Sequence, residues 1–278
     1  MENLLILALL IFLNFKNEFI LSIKKRIIFT LLYDSGNFML SRNFSLQKVG
    51  NTEWLEKNYD FSKLSFYIDE LIILDVSRKH KNKTEFFEIL KSITKKSFVP
   101  VSAGGGIKSV QDAHSFLRSG ADKVVINSAI FDKPVIVNEI ARKFGKQSII
   151  LSLDISKDVL NELDSYDIWT KNGSIKQKKN LKKFLKKIND YNFGEMYLNS
   201  IDKDGTGFGY DLNILNSIPQ NLNAPLILAG GAGNYKHFIL ALENKKVDAV
   251  ATANLFNFIN DGLKIARINL LKKFNFPN

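Results

Sequence analysis

Two glycine turns, each following a short apolar run, are the segments best suited to chemistry. Gly104-Gly105-Gly106 follows VSA, and Gly230-Gly231 follows LILA. Glycine lets the backbone approach a ligand closely, so amide N–H groups at the end of a parallel strand can hold a phosphate. The turns predict a mouth for a substrate with two phosphates or for one long phosphorylated substrate. Further binding candidates in comparable loops are Asn127, Ser128, Asp204, Gly205, Thr206, Ala253 and Asn254.

Carboxylates also stand where apolar runs end. Asp154 closes IILSLD and Asp75 closes LIILD. A carboxylate at such a position can transfer protons in a reaction, although capping of a loop is the plainer alternative. The pattern favours catalysis for Asp154 and leaves both interpretations equal for Asp75. The three histidines are scattered without metal-ligand spacing, so we expect neither a metal nor a cofactor.

An internal repeat indicates how these residues are positioned. Gly104 and Gly230 lie 126 residues apart, as do Asp122 and Asp248. A fixed offset across half the chain indicates two related half-domains, each reading strand, glycine turn, helix, strand. Two such halves that close on each other predict an α/β fold, the (β/α)8 TIM barrel, with ligands at the carboxyl ends of the strands.

Hydrophobic periodicity predicts eight strands that alternate with helices in one domain, residues 25–278. The strands are expected at 26–33, 70–76, 98–103, 122–127, 148–154, 195–200, 225–229 and 247–252. The helices are expected at 53–66, 84–95, 109–119, 133–144, 178–190, 211–218, 235–244 and 257–273, with a hairpin extension at 38–42.

Composition excludes several classes of protein. The sequence contains no Cys, which excludes disulfides, thiolate metal sites and a cysteine nucleophile within this chain. The net charge of +11 comes largely from lysines between 171 and 187. A solvated surface is the favoured interpretation, and attraction of anionic substrates is the alternative. The basic residues do not alternate with aromatic ones, so we expect no nucleic-acid partner.

Residues 1–24 form an apolar extension that is foreign to a barrel. Its core, LLILALLIFL at 4–13, is too short to span a bilayer. The segment could be the core of a signal peptide, but no positive residue precedes it and no small-residue cleavage site follows it. A peripheral membrane anchor is a second interpretation. We favour a misread start upstream of a domain that begins near Leu21. Membrane contact is expected only if the extension is translated, and the expected location is cytoplasmic.

Four charged residues begin predicted strands at the opposite, amino-terminal end. They are Arg26, Glu70, Lys123 and Glu195, on the first, second, fourth and sixth strands. Charges that enter a barrel core are costly unless they are paired. Two positive and two negative residues predict a neutral ring, named here the basal ring, for which a structural salt-bridge cluster is the plain interpretation.

Three segments resemble the cyclase subunit of imidazole glycerol phosphate synthase, the HisF family. They are AGGGIKSVQDAHSFLRSGADKVVINSA, GEMYLNSIDKDGTGFGYD and LILAGGAGNYKHF, within a resemblance that covers roughly residues 25–273. The resemblance implies a heterodimer in which a separate glutaminase docks at the barrel bottom and supplies ammonia along the axis. It also implies that the basal ring is the ammonia gate. The lack of Cys fits, because such glutaminases use a cysteine nucleophile.

The chain departs from that family at the mouth. The family uses two aspartates for acid/base chemistry, and Asp154 matches the one on the fifth strand. Leu32 occupies the position of the other, on the first strand. Leu40 replaces a substrate-contacting lysine, Asn199 a threonine, and Ala229 a serine. Leucine cannot transfer a proton, so the sequence predicts impaired formation of the imidazole ring.

Three functions remain open at this point. The pattern is similar to divergent HisF-like proteins of bacterial surface-polysaccharide pathways, which act with a glutaminase and an amidotransferase to place nitrogen on a sugar, for example as an acetamidino group. The resemblance thus implies a phosphorylated or nucleotide-linked sugar as acceptor. The second hypothesis is a histidine-pathway cyclase whose missing acid has moved to Asp34 or Arg42. The third is a non-catalytic scaffold for a glutaminase.

Overall fold

The computed structural model describes residues 25–78, 81–158, 165–254 and 261–274. Predictions that fall on the extension at 1–24, on His80 and on the start of the last helix lie outside these ranges. Within them, no helix combines the length and the apolar character needed to cross a bilayer.

Eight parallel strands close into a barrel with helices between them, which confirms the predicted (β/α)8 fold. Each strand pairs with the next, and the last pairs with the first through Arg26 and Ala249. The barrel strands are β1 (Arg26–Asp34), β4 (Glu70–Asp75), β5 (Val101–Gly104), β6 (Lys123–Ile126), β7 (Ile149–Lys157), β10 (Glu195–Ser200), β11 (Leu226–Ala229) and β12 (Ala249–Thr252).

Two antiparallel hairpins prolong the barrel at its carboxyl-terminal end. The strands β2 (Asn37–Arg42) and β3 (Ser45–Gly50) fold back from β1, and β8 (Tyr166–Thr170) and β9 (Ile175–Lys176) fold back from β7. Because β1 and β7 each run for nine residues, their last residues extend past the shorter strands of the barrel. Both hairpins therefore stand beside the mouth where the sequence places ligands.

Helices cover the outside of the barrel. They are α1 (Thr52–Asn58), α2 (Phe61–Leu64), α3 (Lys83–Lys96), α4 (Val110–Arg118), α5 (Ala129–Asp132), α6 (Ile136–Phe144), α7 (Leu181–Leu185), α8 (Tyr235–Leu242) and α9 (Gly262–Phe274). Short 3₁₀ segments span Lys146–Ser148, Ile188–Asp190 and Leu212–Ser217.

Side-chain caps explain where the helices differ from the predicted ones. The helix expected at 53–66 is divided, because Asp60 accepts a hydrogen bond from the Ser62 amide and starts a second helix. The segment expected as a helix at 211–218 is a 3₁₀ turn capped by Asp211. The helix expected at 109–119 begins at a cap, where the Ser109 hydroxyl accepts from the Asp112 amide at 3.0 Å.

Alternation along the strands separates two apolar regions. One set of side chains packs outward against the helices, such as Phe29 and Leu71. The other set points into the barrel lumen, as expected for strands with a period of two. The lumen cluster contains Ile28, Ile72, Val125, Ile150, Tyr197, Ile227, Ala229, Ala249 and Ala251, with Leu74 packed against it.

The internal repeat has a structural cause. Asp122 accepts a hydrogen bond from the Val101 amide at 2.8 Å, and Asp248 accepts one from the Leu226 amide at the same distance. Each carboxylate thus joins the start of its own strand to the start of the preceding one. The equivalent bonds in the two halves explain why the aspartates recur at a fixed offset.

Candidate active site

A cavity of about 700 Å³ opens at the carboxyl ends of the barrel strands. It reaches from both hairpins down into the upper lumen, where Thr30, Ser152 and Tyr197 line it. Most of the predicted binding residues surround it together. Those that line it are Gly105, Gly106, Asn127, Ser128, Asp204, Gly205, Gly230, Gly231, Ala253 and Asn254.

Both glycine turns have backbones that only glycine accommodates. Gly105 and Gly230 have φ angles of 124° and 87°. A Cβ atom at Gly105 would lie 2.5 Å from the Asp75 carbonyl oxygen, and one at Gly230 would lie 2.5 Å from the Ser200 carbonyl oxygen. Any side chain there would meet both strain and backbone. The turns therefore present bare backbone to the cavity, as an anion cradle requires.

Asp154 lies in the cavity floor with two amide neighbours. The Asn127 side-chain amide donates to its Oδ2 at 2.9 Å, and Asn199, its registered neighbour on β10, donates to Oδ1 at 3.5 Å. Burial raises the pKa of Asp154 to about 7, although both amide hydrogen bonds oppose the rise, and the nearby Asp204 carboxylate adds to it. A carboxyl group with this pKa can donate or accept a proton near neutral pH.

Leu32 also lines the cavity, near the end of β1. Its side chain is 9% exposed and offers no ionisable group. Leu40, on the hairpin, packs against the outer apolar core and is absent from the residues that line the cavity. β1 and its hairpin therefore carry leucines at the two positions where the resemblance predicts an aspartate and a substrate-contacting lysine.

Asp75 and Asp204 line the cavity as well, but their carboxylate oxygens are engaged by residues of the surrounding loops. Asp75 accepts from the Ser77 amide at 3.0 Å and pairs with Lys81 at 3.4 Å. Asp204 accepts from the Ser41 hydroxyl at 2.5 Å and from the Phe44 amide at 3.0 Å. Asp204 thereby ties its loop to the β2–β3 hairpin, and capping is the observed contribution of both carboxylates.

Two of the predicted residues make local contacts that limit their freedom. The Ser128 hydroxyl accepts from the Lys171 amide at 2.9 Å, which attaches the β8–β9 turn to the rim. The Thr206 hydroxyl donates to the Lys203 carbonyl oxygen at 2.8 Å, and Thr206 is not among the residues that line the cavity. Binding of substrate by Thr206 stays a prediction without support from its position.

The basal ring is closed at the opposite end of the lumen. Arg26 contacts Glu70 at 3.0 Å and Glu195 at 2.7 Å, and Lys123 contacts the same carboxylates at 3.0 and 2.5 Å. Ser102 adds a hydrogen bond to Glu70 at 2.6 Å. Burial would raise the pKa of Glu195, but Arg26 and Lys123 outweigh it and lower the pKa. The four charges therefore form one neutral, mutually paired ring.

Sequence reasoning missed several polar and aromatic residues of the cavity, among them Thr30, Ser152, Tyr197 and Phe44. Thr30, Ser152 and Tyr197 occupy inward positions of barrel strands, and counting in twos from the basal ring residues on β1 and β10 would have found Thr30 and Tyr197. Phe44, at the tip of the β2–β3 hairpin, has a φ of 60°, and its carbonyl oxygen accepts a hydrogen bond from Arg78. Nothing in the residue types of the hairpin signals that position.

Comparison with known proteins agrees with this geometry. Residues 51–260 match the family model described as "Histidine biosynthesis protein". "Putative imidazole glycerol phosphate synthase subunit hisF2" of Parasynechococcus marenigrum (strain WH8102) is 42% identical over 88% of this chain and 89% of its own length. "Imidazole glycerol phosphate synthase subunit HisF" of Clostridium botulinum (strain Kyoto / Type A2) is 32% identical over 91% and 98%. The subunit of the same name from Thermobifida fusca (strain YX) is 33% identical over 86% and 92%. The chain therefore belongs to the histidine biosynthesis protein family and is a divergent relative of its HisF synthase subunits.

Proposed function

We propose that this chain is the synthase subunit of a glutamine-dependent system that places nitrogen on a phosphorylated or nucleotide-linked sugar. A separate glutaminase docks at the basal ring and forms a heterodimer with it. Ammonia crosses the lumen to the acceptor in the mouth. The expected setting is surface-polysaccharide biosynthesis in the cytoplasm, with an acetamidino sugar as a representative product.

The observation that carries the proposal is the contrast between the two ends of the barrel axis. A complete ring of two cations and two carboxylates stands below the lumen, and a cavity with Asp154 opposite the β1 wall stands above it. The ring matches the ammonia gate that the HisF resemblance implies. The apolar Leu32 wall does not match cyclase chemistry, so delivery of ammonia is supported while the acceptor differs.

The chemistry needs one proton-transfer group at the point of attack. The ammonia lone pair forms a C–N bond with an electrophilic carbon of the acceptor, and the nitrogen then loses a proton. The ionised form of Asp154 can accept that proton, and its protonated form can donate one to a leaving oxygen, because its pKa lies at about 7. A single carboxyl group of this kind suffices for an addition followed by an elimination.

The charge of the rim supports an anionic acceptor. Arg78, Lys81, Lys108 and Lys171 line the cavity around the first glycine turn. Cations near an entrance concentrate anionic ligands, and bare backbone amides hold their phosphate oxygens. This arrangement supports a phosphate-bearing substrate.

The histidine-pathway cyclase is the second candidate, favoured by the names of the relatives. It requires a substitute for the missing acid at Asp34 or Arg42. Neither residue is among those that line the cavity, and the Arg42 side chain is exposed. A scaffold without catalysis, the third candidate, does not explain why Asp154 carries two amide hydrogen bonds and a raised pKa at the cavity floor.

Isotope transfer tests the proposal. The chain, purified with its glutaminase partner, is supplied with glutamine labelled with ¹⁵N in the side-chain amide and with extracts of nucleotide-linked sugars. We expect ¹⁵N in a sugar product, detected by mass spectrometry, and none when the chain is omitted. Label that appears only in an imidazole product would replace the proposal with the cyclase function, and hydrolysis without any labelled product would favour the scaffold.

A further inference from the structure

The last helix, α9, carries apolar side chains on two of its faces. Leu263 and Leu270 are buried against the barrel. Ile265, Ile268 and Leu271 lie on the outer side and are 45%, 42% and 37% exposed. A surface helix of a globular protein typically has polar residues on its outer face, whereas a helix that is apolar all round is covered on all sides. The outer face of α9 is therefore suited to contact a partner.

The exposed apolar residues form one surface with the neighbouring helix. Ile265, Ile268 and Leu271 recur every three residues, so they lie on one side of α9. Lys273 pairs with Glu243 at 2.9 Å, which joins the end of α9 to the end of α8. Leu240, one turn before Glu243, is 57% exposed. The residues Leu240, Ile265, Ile268 and Leu271, together with the lysines beside them, are named here the α8–α9 face.

Lysines border the apolar part of this face. Lys264 lies four residues before Ile268 and Lys272 four residues after it, so both are its neighbours on the helix surface. Lys236 has the same spacing from Leu240. All three lysines are exposed. Lys264 is 3.7 Å from Asp261, an exposed pair that leaves most of its charge available to a partner. The face thus combines aliphatic side chains with a cationic border.

We propose that the α8–α9 face is a docking surface for an anionic lipid bilayer. The isoleucines and leucines enter the boundary between headgroups and acyl chains. The lysines extend their apolar stems along this boundary and place their ammonium groups among the anionic headgroups. This contact is independent of the glutaminase and of the acceptor, so it does not rest on the proposed function.

The charges of the face disfavour a second copy of the chain as the partner. Two α9 helices related by a two-fold axis at Ile268 would run antiparallel and would place Lys264 of one copy against Lys272 of the other. Like charges that meet in an interface oppose association. An anionic surface, in contrast, attracts both lysines.

The residue types also favour a bilayer over another protein. Protein interfaces are depleted of lysine, and their binding energy comes mainly from Trp, Tyr and Arg. Aliphatic residues beside lysines are typical of helices that lie in the plane of a membrane interface. The exposed side chains of the α8–α9 face belong to the second class.

The face is already rigid and leaves both ends of the barrel accessible. Arg267, on the inner side of α9, pairs with Asp69 at 2.8 Å, just before β4, and so fixes the helix to the barrel. Docking therefore requires no folding of the helix, which avoids an entropic cost. Because α8 and α9 lie on the side of the barrel, a bilayer there obstructs neither the basal ring nor the mouth.

Cosedimentation of the full-length chain with lipid vesicles tests the proposal. We expect binding to vesicles that contain phosphatidylglycerol to exceed binding to pure phosphatidylcholine by about tenfold or more, and to weaken with salt. Ile265→Ser combined with Ile268→Ser should lower binding about tenfold, because together they remove nearly one exposed isoleucine side chain. Lys264→Gln combined with Lys272→Gln should lower it roughly thirtyfold on the anionic vesicles alone.

Matched variants elsewhere on the surface separate this face from general stickiness. Val135→Ser removes an apolar side chain that is 54% exposed before α6. Lys183→Gln combined with Lys186→Gln removes two exposed charges at α7. Both should leave binding unchanged, and circular dichroism spectra should match in all variants. An equal loss from the Lys183 and Lys186 pair would show that only the net charge attracts the vesicles and would overturn the proposal.

Two further measurements assign the contact if another partner is responsible. Leu5→Glu combined with Leu9→Glu adds charges to the apolar extension and should leave the contribution of Ile265 and Ile268 intact. Loss of binding in that variant, with no effect of the serine substitutions, would overturn the proposal in favour of the extension. Light scattering without lipid should give a monomer. A dimer that Ile268→Ser dissociates would instead identify a second copy as the partner.

Discussion

The two ends of the barrel keep the HisF pattern to different degrees. At the amino-terminal end all four members of the basal ring are present and paired, with Glu70 held by three neighbours, Arg26, Lys123 and Ser102. At the carboxyl-terminal end Asp154 lies in the cavity, while Leu32 lines it where the resemblance predicts a second aspartate. The end proposed to receive nitrogen thus carries the residues that the resemblance implies, and the end proposed to use it departs from them.

This difference shows which constraints act on each end. Loss of one member from a ring of four mutually paired charges is costly, because it leaves the buried charges opposite it only partly compensated. The mouth is built from loops and strand ends, where one side chain can be exchanged without exposing a core charge. The comparison therefore agrees with the proposal that ammonia is the nitrogen source and that the acceptor differs from that of the cyclase.

Replacement of Asp154 should produce the largest effect at the mouth. Asp154→Asn keeps a side chain that can hydrogen-bond Asn127 and Asn199 but cannot transfer a proton. We expect product formation to fall by about 10²- to 10⁴-fold, the usual contribution of an acid/base group, with the fold intact. Rates with the glutaminase partner and circular dichroism spectra measure both. Normal turnover by the purified variant would remove the catalytic assignment and strengthen the scaffold hypothesis.

A change in the basal ring should instead separate the two nitrogen sources. Lys123→Ala removes one cation from a ring with two buried carboxylates, Glu70 and Glu195. We expect amination driven by glutamine to fall by roughly tenfold, about 1.4 kcal/mol, while amination driven by ammonium salts persists. Lys123→Arg, which keeps the charge, is the matched control. Equal loss with both nitrogen sources would indicate misfolding rather than a gate.

The sequence predicted those parts of the molecule that depend on local patterns. Alternating apolar residues and glycine turns located the barrel strands, because strands with one buried face require a period of two. The pairing of the charges in the basal ring was also predictable. Four charged residues at the first positions of barrel strands can be stable only if they meet one another.

Contacts between residues on different strands and loops could not be predicted from the sequence. Nothing in the residues near Asp154 predicts that Asn127 and Asn199 donate to it, since those contacts depend on how the strands are staggered. The division of the helix at 53–66 depends on a cap at Asp60 that competes with an otherwise helical pattern. The position of Phe44 depends on a hairpin tip with positive φ.

The pH dependence of the free energy of unfolding tests the environment of Asp154 at the mouth. The pKa of Asp154 is raised from 3.8 to about 7, so the folded state favours the protonated form. Ionisation therefore opposes folding, with a cost that begins above the unfolded value and grows until the pH passes about 7. Asp154→Asn removes this cost. We expect its gain in the free energy of unfolding to be roughly 2 kcal/mol larger near pH 8 than near pH 5.

Chemical denaturation of both proteins at the two pH values measures this difference. Other titrating groups cancel, because the comparison is between wild type and variant at each pH. An equal gain at both pH values would mean that ionised Asp154 is well solvated, and its role as a proton-transfer group near neutral pH would lose its physical basis.

The smallest effect is expected from restoring the missing acid. Leu32→Asp would place a further carboxylate in the cavity that Asp154 and Asp204 already share, where repulsion from Asp204 contributes to the raised pKa of Asp154. A further like charge would keep one proton on the pair, and the exchanged residues Leu40, Asn199 and Ala229 would remain. We therefore expect less than about a tenfold gain, under 1.4 kcal/mol, in cyclase activity.

Growth of a bacterium that lacks its own cyclase subunit, on medium without histidine, measures this outcome. We expect neither the unmodified gene nor the Leu32→Asp gene to restore growth at a normal rate when the cognate glutaminase is also supplied, whereas the host's own gene does. The apolar wall should limit both, since Leu32 offers no proton and a lone aspartate there lacks the polar hairpin that the family uses. Normal growth from the unmodified gene would overturn the sugar acceptor and leave the histidine-pathway cyclase in its place. Normal growth only from Leu32→Asp would show instead that one side chain separates the two functions.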